Sequence, residues 1–175
     1  MFLDLNGTLV LPIMVGHPSD LRLIDDAAAA VARLTSAGFI CPVVTIQSRI
    51  ARGMFSADDF QIWFEGFASL LARQGAIVVG PYVCPHRFAE PCRCKKPQTY
   101  LYELAATEHQ IDLGRSFVVG DSVKDVEAAV RFGGRGCLVR TGEAVSDQVV
   151  EQAASSASHV ALSLTEAVDW ILAAQ

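Results

Sequence analysis

Apolar positions along the chain follow two rhythms. Short, nearly continuous apolar runs occur at residues 2–3, 39–45, 76–83, 116–120 and 136–139, most of them bounded by glycine, proline or a polar residue. Such runs read as strands buried on both faces. Between them, residues 27–36, 56–74, 98–109, 123–132 and 143–156 carry apolar positions at helical spacing. Phe60, Phe64, Phe67, Leu70 and Leu71 form the clearest stripe. The helix ends are marked as well. Asp25 and Asp26 put acids at the positive end of the first helix, and Gly38 stops it. Ser56 and Asp59 make an approximate capping box, and Gly75 ends that helix. Residues 159–162 read as a last edge strand, and Ser163 with Glu166 as the capping box of a final helix. Residues 11–24, with Pro12, Gly16 and Pro18, carry no period and read as a loop. Strands alternating with helices in this way predict an α/β, doubly wound, mostly parallel sheet covered on both faces. No repeat or linker interrupts it, so residues 1–175 read as one domain.

Composition narrows the class. With 175 residues, 51% of them hydrophobic and 19% charged, the chain can bury a substantial core and does not read as disordered. A formal net charge of -5 speaks against nucleic acid or an anionic membrane as the main partner, though not against a small anionic substrate. No apolar run approaches a membrane span, and no leader opens the sequence. The expectation is a cytoplasmic protein, monomeric or a small homo-oligomer. An odd number of cysteines without a leader argues against a disulfide scaffold. Cys41 and Cys137 fall in apolar runs, as small core residues do. The other three stand beside a histidine in the pattern Cys84-x-His86-x5-Cys92-x-Cys94. Three thiolates and one imidazole make the donor set of a closed, four-coordinate zinc site, and with no position open for water that zinc is structural. The competing reading, three reduced surface cysteines and a stray histidine, needs four ligand-type residues to gather by chance.

The candidate chemistry centres on the first apolar run. Asp4 ends it, at the carboxyl end of a strand, where open parallel sheets bind their ligands. Gly7 permits a sharp turn directly after. A carboxylate so placed can attack a phosphoryl group and form an aspartyl-phosphate. Three later segments belong with it: Val43-Val44-Thr45-Ile46-Gln47-Ser48, Cys94-Lys95-Lys96-Pro97 and Val119-Gly120-Asp121-Ser122-Val123-Lys124-Asp125. Singly, each has an ordinary explanation. Thr45 is a strand-end hydroxyl, and Asp121 and Asp125 are acids at a helix start, common for capping and dipole reasons.

Together with Phe2-Leu3-Asp4-Leu5-Asn6-Gly7-Thr8-Leu9, and in this order, they resemble the motifs of the haloacid dehalogenase superfamily of phosphatases, from Phe2 to about Gly142. Within it the likeness is greatest to the branch holding histidinol-phosphate phosphatase and D,D-heptose 1,7-bisphosphate phosphatase. The resemblance implies a Rossmann-like fold with a small flap at residues 11–24, a zinc loop and no large cap domain. It implies that Asp4 is the nucleophile and that Thr45 hydrogen-bonds a phosphoryl oxygen. Gln47 and Ser48 add donors, Lys96 neutralises phosphate and nucleophile, and Arg52 and Lys95 contact substrate. Mg²⁺ is held by Asp4, the backbone carbonyl of Asn6 and Asp121, with Asp125 a second acid facing the site.

The implied substrate is a small phosphorylated metabolite, and two signals disagree about which. The spacing of the Cys/His loop is similar to that of the histidinol-phosphate enzymes. Residues 47–55 and 138–142 are similar to the heptose enzymes, and these lie nearer phosphate and sugar. The expected substrate is therefore a phosphorylated sugar of the D,D-heptose 1,7-bisphosphate type, with histidinol phosphate as the alternative. The chain departs from the heptose pattern at Ile46, Arg49, Lys95 and Ser122, which replace a usual Asn, Gly, Arg and Lys. The departure with most chemical weight is Asn6, where the family has a second Asp. That acid protonates the leaving oxygen and later activates water, and an amide does neither. The expectation is an Mg²⁺-dependent phosphatase impaired by Asn6, in effect an inactivated or trapped form. The other reading is a catalytically weak phosphosugar-binding pseudoenzyme.

Overall fold

Phe2 and Leu3 form strand β1 (Phe2–Leu3), and their side chains leave it on opposite sides. Phe2 packs in one cluster with Val44, Tyr102 and Val118, while Leu3 packs in another with Val43 and Val119. This two-sided burial is the physical reason for the unbroken apolar runs. The computed structural model describes residues 1–13, 16–142 and 145–174. Beside β1 run β4 (Pro42–Ile46), β5 (Val79–Cys84), β6 (Phe117–Gly120), β7 (Arg135–Val139) and β8 (His159–Ala161). Their order is β5-β4-β1-β6-β7-β8, and every pairing is parallel. Helices α1 (Ala27–Ser36), α3 (Ala57–Ala72) and α7 (Leu164–Ala173) cover one face through Leu34, Phe60, Phe64 and Ile171. Helices α4 (Tyr100–His109), α5 (Val123–Arg131) and α6 (Asp147–Ala153) cover the other, through Tyr102, Ala128 and Ala153. From β1 the chain builds outward to β5, then returns to the far side of β1 for β6. The reversal opens a crevice at the carboxyl ends of β1, β4 and β6.

Several boundaries differ from the sequence reading. The runs at 39–45 and 76–83 become strands only from Pro42 and Val79. Leu70, counted in the apolar stripe of α3, is 40% exposed, because the buried stripe runs through Phe60, Phe64, Phe67 and Leu71 and passes it by. Residues 11–24 are more than a loop. Val10 and Leu11 form β2 (Val10–Leu11), which pairs antiparallel with β3 (Arg22–Leu23) around a 3-10 turn at Pro18–Asp20. The helix expected at 143–156 is the shorter α6, and Glu143 and Ala144 lie outside the described residues.

The caps explain where helices begin. Ser56 accepts from Asp59 N–H at 3.0 Å while Asp59 accepts from Ser56 N–H at 2.9 Å, a complete capping box. The expected box at α7 is half formed. Ser163 accepts from Glu166 N–H at 3.2 Å, but the Glu166 carboxylate reaches back to Leu162 N–H at 2.8 Å. Asp26, expected to serve α1, accepts instead from the Thr165 N–H and hydroxyl at 3.0 and 2.8 Å, so it ties the starts of α1 and α7 together. No helix among the described residues is long and apolar enough to cross a membrane.

Candidate active site

Directly after β1 the chain turns on itself. Asp4 N–H donates to Val119 at 2.9 Å, and the carbonyl of Leu5 gathers the N–H groups of Leu9 and Val10 at 2.9 and 3.0 Å. Gly7 takes φ +86°, a left-handed conformation that disfavours a side chain, and a Cβ there would overlap the Asp121 carboxylate. A Cβ on Gly142 would overlap the same carboxylate. The segment after β7 is held over the turn by the Thr141 hydroxyl, which donates to the Gly7 carbonyl at 2.6 Å. Asp121 thus lies in a cradle of two glycines, drawn from the loops after β1 and β7.

Lys96 brings the carboxylates together. Its ammonium donates to Asp4 Oδ1 and to Asp125 Oδ1, both at 2.6 Å, and all three residues are buried. Asp125 reaches the site from the first turn of α5, packed where Gly120 has no side chain. Oxygens of Asp4, Asp121 and Asp125 lie within 4.8 Å of one another, so one lysine faces three acids. Burial pushes the Asp4 carboxyl up to about 6; Lys96 opposes this rise and Asp125 adds to it. Burial, with the charges of Asp4 and Asp125, pushes Asp121 up to about 8. Burial alone would lower Lys96, but Asp125 and Asp4 outweigh it and hold the ammonium well above its ordinary range. An excess of buried negative charge on a few close carboxylates suits a hard divalent cation. Mg²⁺ fits this donor set.

On the β4 side, Thr45 and Gln47 are each 1% exposed. Gln47 Nε2 donates to Asn6 Oδ1 at 2.8 Å and to Thr45 Oγ1 at 3.0 Å. Asp4, Asn6, Thr45, Ser48, Lys96 and Asp121 line one cavity of about 190 Å³, with Asp125 behind them. A larger cavity, about 770 Å³, opens at the other end of the strands beside Met1, Ile40, Ser116 and Arg135. It gathers none of these carboxylates, so the chemistry assigns the smaller one.

Three expected substrate contacts do not line that cavity: Gln47, whose amide nitrogen donates to Asn6 and Thr45, and two cations. Arg52 is exposed just past α2 (Ser48–Ala51), and Lys95 donates to the carbonyls of Arg87, Phe88 and Glu90 at 2.7, 2.7 and 2.8 Å. Neither is among the described residues that line the cavity. Lys95 instead braces the Cys/His loop at its surface, through three backbone carbonyls. Arg49, not singled out as a site residue, does line the cavity and is 5% exposed. Its sequence signal was a cation two residues beyond Gln47, at the end of a strand that leads into the site. Ser122 and Lys124 form the opposite wall.

The second cluster stands at the end of β5. Cys84 Sγ is 3.7 Å from Cys92 Sγ and 3.8 Å from His86 Nδ1, and His86 Nδ1 is 3.1 Å from Cys94 Sγ. Zn–S bonds of about 2.3 Å in a tetrahedron set ligand edges of about 3.8 Å. The two Cys84 separations match that size, the His86–Cys94 one is shorter, and the sulfurs are much too far apart for a disulfide, which bonds at about 2.05 Å. The residues present fit zinc, and the loop they close ends at Lys96.

Comparison with known proteins agrees with this geometry. The HAD-hydrolase-like family model matches residues 93–167. The chain is 36% identical over 186 residues to the D-glycero-D-manno-heptose-1,7-bisphosphate 7-phosphatase of Thermosynechococcus vestitus, covering 98% of this chain and 94% of that one. It is 37% identical over 155 residues to the corresponding enzyme of Yersinia pestis, covering 83% and 82% of the two chains. Among solved structures, the D,D-heptose 1,7-bisphosphate phosphatase of B. bronchiseptica, complexed with magnesium and phosphate, superposes with a TM-score of 0.88 at 27% identity, over 100% of this chain and 98% of that one.

Proposed function

Because the chain belongs to the haloacid dehalogenase-like phosphatases, in the branch of the heptose 1,7-bisphosphate phosphatases, we propose that it hydrolyses a phosphate ester of a small phosphorylated sugar of that type. The observation that carries this reading is the meeting of Asp4, Asn6, Thr45, Lys96 and Asp121 around one small cavity at the carboxyl ends of the strands. Asp4 attacks phosphorus, the ester P–O bond breaks, and the departing oxygen takes a proton. Water then attacks the phosphorus of the aspartyl-phosphate, the bond to Asp4 breaks, and inorganic phosphate leaves. Lys96 keeps Asp4 ionised and neutralises phosphoryl oxygens, and Thr45 donates a hydrogen bond to them. Mg²⁺, held by Asp4, Asp121 and the Asn6 carbonyl, supplies further neutralisation of the phosphoryl charge when bound. Zinc on Cys84, His86, Cys92 and Cys94 stiffens the loop that delivers Lys96.

With Asn6 in place, solvent water must give the departing oxygen its proton in the first step and take the proton of the attacking water in the second. One observation favours the second reading, a weak enzyme that mainly binds phosphosugar. Asn6 Oδ1 is already taken by Gln47, so the side chain turns only an N–H group toward a ligand. Kinetics of Asn6→Asp separate the two. Restoring the acid should raise turnover about 10²–10⁴-fold, the usual contribution of general acid–base assistance. The effect should be larger for a sugar phosphate, whose alkoxide leaves poorly, than for p-nitrophenyl phosphate. With the aryl ester, the present chain should show a burst and accumulate phosphoenzyme, because hydrolysis is then the slow step. If Asn6→Asp processes neither substrate, the binding reading replaces the enzymatic one.

A further inference from the structure

The hydrogen-bond directions in the cavity wall are set from one end, and the geometry points to Arg49 as the positioning residue that aims the donors of Asn6 and Thr45 into the phosphoryl site. The inference rests on the reading of that cavity as a phosphate site. A guanidinium donates and never accepts. Arg49 Nη1 donates to Gln47 Oε1 at 3.3 Å, so the oxygen of the Gln47 amide is committed to Arg49. The Gln47 NH₂ must then face the other way, and its two hydrogens meet two acceptors, Asn6 Oδ1 at 2.8 Å and Thr45 Oγ1 at 3.0 Å. With its oxygen held, Asn6 presents its NH₂ elsewhere, and Asn6 Nδ2 is a buried donor with no partner among the described residues. An unmet buried donor is costly and seeks an acceptor. Thr45 Oγ1, accepting from Gln47, keeps its own hydrogen to give. Together with the Lys96 ammonium, the wall offers hydrogens to whatever enters, which suits the oxygens of an ionised phosphoryl group.

Burial makes the direction hold. Thr45 and Gln47 are each 1% exposed and Arg49 is 5% exposed, so water is poorly placed to satisfy a reversed amide. Arg49 is itself fixed by donating from Nη2 to the Ile13 carbonyl at 2.6 Å, which ties the relay to the segment that follows β2. Without the guanidinium, the Gln47 amide is free to turn over. Its oxygen would then take hydrogens from Asn6 and Thr45 and withdraw both donors from the cavity.

The relay is tested first without any phosphate, by the side-chain NH₂ resonances of Asn6 and Gln47, assigned by their loss in Asn6→Asp and Gln47→Glu. Arg49→Met should shift both pairs, and Arg49→Lys, which keeps a donor, should move them much less. Unmoved pairs in Arg49→Met overturn the relay. Gln47→Leu cuts the chain at its middle and should shift the Asn6 pair even if Arg49→Met does not fold; no shift there also overturns it. Inorganic phosphate with Mg²⁺ is the second probe. Arg49→Met should weaken its binding about tenfold, the scale of one hydrogen bond to a charged group. In an Asn6→Ala, Thr45→Val background that loss should vanish; a loss of full size there means direct contact by Arg49 and rejects a positioning role. If Lys96→Ala leaves phosphate affinity unchanged while the amide pairs still respond to Arg49→Met, the phosphate reading fails and the relay stands.

Discussion

Lys96 is held between Asp4 and Asp125 at 2.6 Å on each side, out of water, and its charge favours the ionised form of Asp4. Removing one partner of a buried ion pair leaves the others uncompensated and costs about 3–5 kcal/mol. Lys96→Ala should therefore lower stability by about that amount, push the Asp4 carboxyl above its present value of about 6, and sharply weaken phosphate binding near neutral pH. Arg22 on the flap is exposed and bonded only to nearby carbonyls in the described contacts, so Arg22→Ala should cost no more than about 0.5 kcal/mol. Urea unfolding and phosphate titration of both variants decide this; similar losses from the two would reject the assignment. Asp4, Thr45 and Asp121 were legible because each ends or follows an apolar run, and Lys96 only through the motif it shares with the resembled family. Arg49 was not, because a cation beside a strand end can point to solvent or inward, and only packing decides which.

The loop between β5 and α4 shows the same limit at the scale of elements. The gathering of its three thiols and one imidazole was readable from spacing alone, since such donors so close together have few other uses. The role of Lys95 was not, because its direction depends on three carbonyls that come together only in the folded loop. The long strands and helices were visible through their periods and caps. The resemblance implied the flap, but its pairing was not readable from the residues, because β2 and β3 are each two residues long, too short for alternation to register. Zinc binding and loop closure form one equilibrium, since ligands gathered from separated positions need the metal to hold them. The purified chain should carry one zinc, and Cys92→Ser should lose it, lower the thermal midpoint and reduce phosphate binding through displacement of Lys96. A Cys92→Ser protein that keeps both its zinc and its midpoint would refute the site.

At the scale of the whole molecule, the acid cluster couples folding to pH and to metal. Asp4 and Asp121 are raised from the ordinary 3.8 to about 6 and about 8, so the folded protein holds their protons more tightly than the unfolded chain does. Their contribution to stability is therefore fully present below about pH 3.8, and it is lost as pH rises through about 6 for Asp4 and about 8 for Asp121. Metal-free protein should lose stability across that window through these two groups. The ionised carboxylates that cause the loss are the ones proposed to hold Mg²⁺, so the gain on adding metal should grow over the same window. At a concentration about 100 times its dissociation constant, Mg²⁺ should add about 2.7 kcal/mol, or about 5–10 °C in melting temperature for a domain of this size. Asp121→Asn should flatten the metal-free decline above pH 6 and abolish most of the Mg²⁺ gain, because the group titrating to about 8 is then absent. Melting curves with Mg²⁺ and with a chelator, taken below pH 6 and above pH 8 on both proteins, measure this directly. A gain that is equal at the two ends, or that survives Asp121→Asn intact, would mean that the metal binds elsewhere.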